Sequence, residues 1–248
     1  MDFAVVIPAR YDATRLPGKP LADICGRPMI QWVFEAAVVG GAADVIVATD
    51  DRRIAETCAR FGARAEMTDS AHASGTDRVA EVARRLGWPD DRVVVNVQGD
   101  EPMMPPVLVR QVARLLDDDP EAGVATLATP IAGKDEWDDP NVVKVVVDRH
   151  ARALYFSRAR IPWPRDGSTP TGLAMRHVGL YAYRVRALRE FTEAEPCGLE
   201  LHERLEQLRA LWLGIPIHVA RARLFPPRGV DTEEDLQAVR RILARPRT

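Results

Sequence analysis

The chain has 248 residues, 46% hydrophobic and 28% charged, with a formal net charge of -2, which suits one large globular domain or two small ones and lacks the basic field that general nucleic-acid or membrane-surface binding needs. No window approaches 18 uninterrupted apolar residues, and the first apolar run breaks at Pro8, so neither membrane insertion nor a signal peptide is expected. The three cysteines, Cys25, Cys58 and Cys197, are scattered and have no C-x-x-C spacing, which argues against a disulfide framework or zinc site and for reduced thiols in a cytoplasm.

Along the first half, apolar β-branched runs alternate with amphipathic segments. Residues 3–8 read as a buried strand, 28–41 as a helix, 44–50 as a strand, 51–62 as a helix and 63–68 as a strand. Residues 76–87 read as a helix with Thr76 as its N-cap, followed by a strand at 92–97, a helix at 105–119 and a strand at 124–131. This is the pattern of βαβ units: a mostly parallel central sheet with helices on both faces. The second half changes character. Residues 142–158 read as two strands about a turn, 176–183 alternate, 198–214 read as one helix, 215–225 as a strand and 230–246 as a terminal helix. The acidic runs DDDPE and KDEWDDPN read as solvated loops. Together these give one domain, with an α/β core over 1–135 and 205–248 and an inserted antiparallel portion over about 136–204.

Open α/β sheets bind ligands outside the carboxyl ends of their strands, so the loops that follow strands matter most. The loop after the first strand, IPARYDATRLPGKP, carries Arg10, Arg15 and Lys19 against one acid, Asp12. It has no G-x-G-x-x-G, and its Gly18-Lys19 pair precedes Pro20 rather than Ser or Thr, so neither common nucleotide loop fits. Proline removes backbone donors, leaving side-chain cations to hold an anion. Such cations can also simply splay into water; the loop's stiffness and its place after strand one favour polyphosphate. The strand VVVNV ends in Gln98, Gly99, Asp100 and Glu101. A carboxylate there suits Mg²⁺, which takes one or two carboxylates plus substrate phosphates, although an Asp before Pro102 can also be a turn residue. Near the end of the chain, Thr232-x-x-Asp235 resembles a capping box, which accounts for Thr232 but not for Asp231.

Seven stretches occur in a telling order: IPARYDATRLPGKPL, SGTDR (74–78), NVQGDEP (96–102), ALYFSRARIPW (153–163), RHVGLYAY (176–183), LEQLRAL (205–211) and GVDTEEDL (229–236). From first strand to last helix they resemble the 3-deoxy-manno-octulosonate (Kdo) cytidylyltransferase family. The resemblance implies a GT-A-like nucleotidyltransferase fold, a homodimer built on the inserted portion, and Mg²⁺, as two ions. It implies the reaction CTP + Kdo → CMP-Kdo + pyrophosphate, for lipopolysaccharide synthesis. By resemblance Ala9, Arg10, Arg15 and Lys19 hold the CTP phosphates, and the region from Ala71 to Ser74 meets the nucleoside. Gln98, His177, Tyr181, Glu206 and Gln207 meet the sugar acid, Arg158 fits the same pattern, and Arg78 is offered to the sugar carboxylate. Asp231 joins Asp100 as the second metal carboxylate, which makes Arg15, Lys19, Asp100 and Asp231 the expected catalytic group. Gly198 and Leu201 depart from the family's usual approach to the helix that carries Glu206 and Gln207.

Each of these residues has a plainer reading. The face of His177, Gly179, Tyr181 and Tyr183 can be merely wet, Arg78 can be an exposed helix arginine, and Glu203 can lie on a solvated Glu/Arg face. Leu201, Leu205, Leu208 and Trp212 have the spacing of one apolar helix stripe. Other activities also stay open: a cytidylyltransferase for 8-amino-Kdo or a sialic acid, a glycosyltransferase with a DxD motif (here Gln98-Gly99-Asp100 instead), and a nucleotide-binding protein without turnover.

Overall fold

The first apolar run forms strand β1 (Phe3–Ala9), buried along its whole length because it feeds two cores at once. Phe3, Val5, Ile7 and Ala9 face one core and Val6 faces the other. In the computed structural model the described residues are 1–12, 16–167, 172–227 and 229–244. A 3-10 turn (Lys19–Leu21) and a two-residue hairpin, β2 (Asp23–Ile24) and β3 (Arg27–Pro28), precede α1 (Met29–Val39). Then come β4 (Asp44–Thr49), α2 (Arg52–Arg60), β5 (Arg64–Met67), α3 (Gly75–Arg85), β6 (Val93–Asn96), α4 (Pro106–Asp117) and β7 (Val124–Pro130). The second half contains α5 (Lys134–Asp138), β8 (Lys144–Val147), β9 (Ala153–Ser157), β10 (Met175–Arg184), α6 (Val185–Glu193), α7 (Gly198–Glu203), α8 (Gln207–Trp212), β11 (Ile217–Arg221) and α9 (Glu233–Leu243).

The main sheet runs β11-β7-β10-β6-β1-β4-β5, with β8 paired to β10 and β9 to β8. The β6–β1–β4–β5 run and the β11–β7 pair are parallel, whereas β10 runs antiparallel between β6 and β7. Helices cover both faces: α1, α2 and α4 pack into one core, and α3, α6 and α8 into the other. The expected α/β architecture is therefore observed. The inserted portion is not set apart, however, because β10 lies at the middle of the sheet. No helix among the described residues is long and apolar enough to cross a membrane.

Several local expectations are corrected. Ser74, not Thr76, caps α3: its hydroxyl accepts from Asp77 N–H, and the Asp77 carboxylate accepts from Ser74 N–H. The single helix over 198–214 is two, α7 and α8, broken at Arg204, which adopts a left-handed φ of 53°. The supposed stripe fails with it, since Leu205 and Leu208 are buried while Leu201 is 65% and Trp212 67% exposed. KDEWDDPN is not all solvated loop, because α5 buries Trp137. The strand at 215–225 is confined to β11, and α6, which had no sequence assignment, buries Leu188 and Phe191.

Candidate active site

Parallel pairing of β1 with β6 sets their carboxyl ends side by side, so the loop after Ala9 and the Gln98–Asp100 segment share one rim. Gly99 permits this approach, since a Cβ there would come within 2.8 Å of the Pro8 carbonyl oxygen. The resulting cleft, about 190 Å³, is lined by Ala9, Arg10, Lys19, Gln98 and Asp100 among others. The loop folds back by a Gly18 N–H to Tyr11 carbonyl bond, with Gly18 at φ 70°. Arg15 lies outside the described residues.

Lys19 is compensated by acids rather than splayed into water. Its ammonium is 2.6 Å from Asp100 Oδ2 and 3.4 Å from Asp231 Oδ1. The backbone brings those two carboxylates together, because Val230 N–H donates to the Asp100 carbonyl oxygen. Val230, Leu236 and Val239 then pack with Ile24 and Met29 in a third core, which ties α9 to the segment following the loop after β1. The capping box forms with Asp in place of Glu: Asp235 Oδ2 accepts from the Thr232 and Asp231 N–H groups and Thr232 Oγ1 accepts from Asp235 N–H. The cap thus holds the peptide on which Asp231 sits. Beside it the half-buried Glu101 has its Oε2 shielded from solvent, and burial, then the Asp100 charge, push its carboxyl up to about 8.

The donor set at this point fits Mg²⁺. Two carboxylates already converge on one positive charge, and Mg²⁺ commonly takes few protein carboxylates and completes its shell with phosphates and water. No group of three potential ligands gathers among the described residues, so the substrate would supply the rest.

From the loop after β1, Arg10 donates to the His72 carbonyl oxygen at 2.8 Å, pinning the loop that contains Ala71 and Ser74. His72 Nε2 is in turn 2.6 Å from Glu81 Oε2. Hydrogen bonds from Asp69 N–H and His72, with the charge of Arg85, outweigh burial and hold the Glu81 carboxyl below its usual range.

On the other side of Gln98, the side chains of Phe156, His177, Tyr181 and Tyr183 form a row with successive ring centroids 5.1, 5.2 and 5.8 Å apart. The Tyr181 hydroxyl is buried and has no partner among the described residues, and burial raises its pKa far above that of a free phenol. An orphaned buried hydroxyl costs about 1–3 kcal/mol, which a polar ligand would offset. The Glu206 carboxyl faces the Thr76 and Ser74 hydroxyls, with its pKa raised chiefly by burial. Gln207 opens α8 immediately after it, and Gln98 Nε2 donates to Asn96 Oδ1 at 3.3 Å. A larger cavity of about 460 Å³ joins His177 and Gly179 to Glu101 and Asp231.

Two arginines do not take the places expected of them. Arg78 is fully buried and donates to Asp50 Oδ2 at 2.6 Å, Thr68 Oγ1 at 2.7 Å and the Asp69 carbonyl. It is neither an exposed helix arginine nor available to a sugar carboxylate; it braces the ends of β4 and β5. Arg158 donates Nε to the Glu203 carbonyl and one Nη to the Pro140 carbonyl, so those donors serve the scaffold. Glu203 is not a solvated helix residue either, since its carboxylate accepts from Ser157 Oγ at 2.6 Å and Arg158 N–H at 2.9 Å. Sequence reasoning missed Asp50, which holds Arg78 against the end of β5, and Thr126, which contacts His177; His72 lies within the 71–74 region that the resemblance singles out. Thr126 carried only a weak signal, as one of two threonines, with Thr129, in the buried strand VATLATP.

Residues 4–217 match the family model for cytidylyltransferases. The chain is 54% identical to 3-deoxy-manno-octulosonate cytidylyltransferase of Vibrio vulnificus (strain YJ016), over 98% of this chain and 99% of that protein. It is 56% identical to the protein of that name from Pseudomonas fluorescens, over 97% and 98%. Among solved structures, a CMP:2-keto-3-deoxy-manno-octonic acid synthetase complexed with CTP superposes with a TM-score of 0.91 at 44% identity, covering 98% of this chain and 99% of that one. A nucleotidyl transferase from Methanothermobacter thermautotroptrophicus shares the fold at 14% identity, with a TM-score of 0.62 over 97% of both chains. Similarity at this level spans both the rim that gathers Lys19, Asp100 and Asp231 and the aromatic row beside it, and the chain belongs to the cytidylyltransferase family.

Proposed function

We propose that the enzyme transfers CMP from CTP to the anomeric hydroxyl of Kdo, releasing pyrophosphate and yielding CMP-Kdo for lipopolysaccharide synthesis. The observation that carries this reading is the convergence of Lys19, Asp100 and Asp231 at one strand-end rim, between a nucleotide-side loop and a row of half-buried polar rings. The relatives' names supply the two substrates. Both reactants are anions, so alignment and positive charge supply most of what the transfer needs. Lys19, with Arg10 and Arg15 from the same loop, would hold the triphosphate. Gln98, Tyr181, Glu206 and Gln207 would hold and orient the sugar acid so that its hydroxyl lies in line with the α-phosphorus. Asp100 and Asp231 would hold one Mg²⁺, with a second on the phosphates. When bound, Mg²⁺ neutralises phosphate charge and acidifies the attacking hydroxyl.

The test is to incubate purified enzyme and Mg²⁺ with each of four nucleoside triphosphates and a panel of sugar acids. Pyrophosphate should form only with CTP plus Kdo; none with that pair, or equal amounts with a sialic acid, would defeat the reading.

A homodimer in the cytoplasm belongs to the same proposal. Leu154 on β9, Leu199 and Leu201 on α7 and Trp212 on α8 are 61%, 40%, 65% and 67% exposed. Such apolar side chains, on elements that lie close together, suit a partner surface. The three cysteines are unpaired, which suits a reducing compartment. Sedimentation should give a dimer that Leu201→Asp shifts towards monomer; a wild-type monomer would remove the homodimer from the proposal.

A further inference from the structure

Strand β10 carries a bulge between Val178 and Tyr181 where it pairs with β7. Opposite it lies Thr126, fully buried. Its Oγ1 is 3.0 Å from the Val178 carbonyl oxygen, 2.9 Å from the Leu180 carbonyl oxygen and 3.0 Å from His177 Nε2. A hydroxyl has one proton to give and two lone pairs, whereas a carbonyl oxygen can only accept. Were that proton given to the imidazole, both carbonyls would face hydroxyl lone pairs in a buried space, an expensive mismatch. The proton therefore goes to the carbonyls. The side of Oγ1 that meets His177 is a lone pair, which needs an N–H opposite it.

We infer that Thr126 fixes His177 as the Nε2–H tautomer, so that Nδ1 presents a lone pair to a hydroxyl of the bound sugar and repels a carboxylate at the same place. Thr126 is then a positioning residue for substrate recognition, acting through His177. The identity of the ligand rests on the activity proposed above; the tautomer does not. The ring is held edge-on by Phe156 and tilted against Tyr181, so it has little freedom to turn over. Burial brings the His177 pKa down to about 3, which keeps the ring neutral, with one donor and one acceptor. Nε2 is used by Thr126, Nδ1 has no partner among the described residues, and His177 lines the cavity shared with Gly179 and Asp231. The polarity of the subsite follows: it accepts a hydrogen bond from its ligand.

The experiment uses the full-length enzyme with ¹⁵N-labelled histidine and no ligand. Long-range ¹H–¹⁵N correlation reads the tautomer, and His177 is assigned by loss of its signals in His177→Gln. The Nε2–H pattern is expected in wild type and in Thr126→Ser. Thr126→Val, which keeps the β-branched shape, should lose the single tautomer and raise KM for Kdo about tenfold, the scale of one net hydrogen bond. KM for CTP should stay unchanged. An Nδ1–H or imidazolium pattern in wild type overturns the inference, as does a Thr126→Val enzyme with the tautomer and KM intact. If Thr126→Val does not fold, the wild-type and Thr126→Ser spectra decide the matter. Failure of wild-type turnover with Kdo would defeat the proposed activity while the same spectra still settle the tautomer.

Discussion

Lys19 stands where a metal would be wanted, bridging Asp100 and Asp231 as a resident cation. The three groups form one interacting unit with an excess of one negative charge, and their energetics should not separate residue by residue. Asp100→Asn and Asp231→Asn should each lower kcat/KM by about 100-fold or more, and the double variant should be scarcely worse than either, because residues acting as a unit are strongly non-additive. Melting temperatures in chelator should move little, since each substitution leaves Lys19 paired with the other acid. Lys19→Met differs in kind: it removes the ammonium that bridges two neighbouring carboxylates. It should melt lower than wild type in chelator and regain more stability than wild type when Mg²⁺ is added, because ligand binding to the folded state stabilises it by mass action. Additive losses in the aspartate pair, with an unchanged Mg²⁺ requirement, would show that Asp231 serves only the start of α9.

Among elements, most of the periodic ones were legible, α6 excepted, and the interrupted ones were not. Strand β1 and helix α2 follow directly from apolar spacing, and Asp51 caps α2 from the first position of its predicted range. The break between α7 and α8 had no comparable signal, because a left-handed residue is normally announced by Gly or Asn and here it is Arg204. For an L-residue that conformation costs roughly 1–2 kcal/mol, of which glycine recovers a part after its own entropy loss. Arg204→Gly should therefore stabilise the fold by about 0.5 kcal/mol, seen as a small rise in urea midpoint at constant m-value. A lower midpoint would mean that the Arg204 side chain contributes more than its backbone strain costs. The candidate site divides in the same way. Its loop motifs were visible one by one. The burial of Arg78 was not, because its partner Asp50 ends a different strand and only the β4–β5–α3 packing brings them together.

At the scale of the whole molecule, β10 is the strand on which sheet and site depend together. It closes the sheet between β6 and β7 and carries His177 and Tyr181, so these candidate site groups are set by the same packing that holds the core. Their burial then enters global stability through proton linkage. The folded-state pKa of His177 is depressed from 6.5 to about 3. Between those values the unfolded chain takes up a proton that the folded chain refuses. This contribution is therefore whole above the unfolded value and falls as pH drops towards the folded one. Carboxyl groups held below their ordinary range, such as Glu81, are stabilising above the unfolded carboxyl value of 4.5 and lose that contribution only at lower pH. Between pH 6.5 and 5 the histidine's share is a loss of about 1.4 kcal/mol per pH unit, about 2 kcal/mol in all, while Glu101, whose folded carboxyl lies at about 8, takes up a proton only in the folded state there and acts in the opposite sense. Urea unfolding at pH 7, 6 and 5 should show wild type losing about 2 kcal/mol relative to His177→Gln, which keeps the Glu101 contribution but has nothing to protonate at this ring, and both proteins should keep the carboxyl limb below pH 4.5. An equal slope in His177→Gln would place the titrating group elsewhere and remove burial of this ring as the origin of the acid sensitivity.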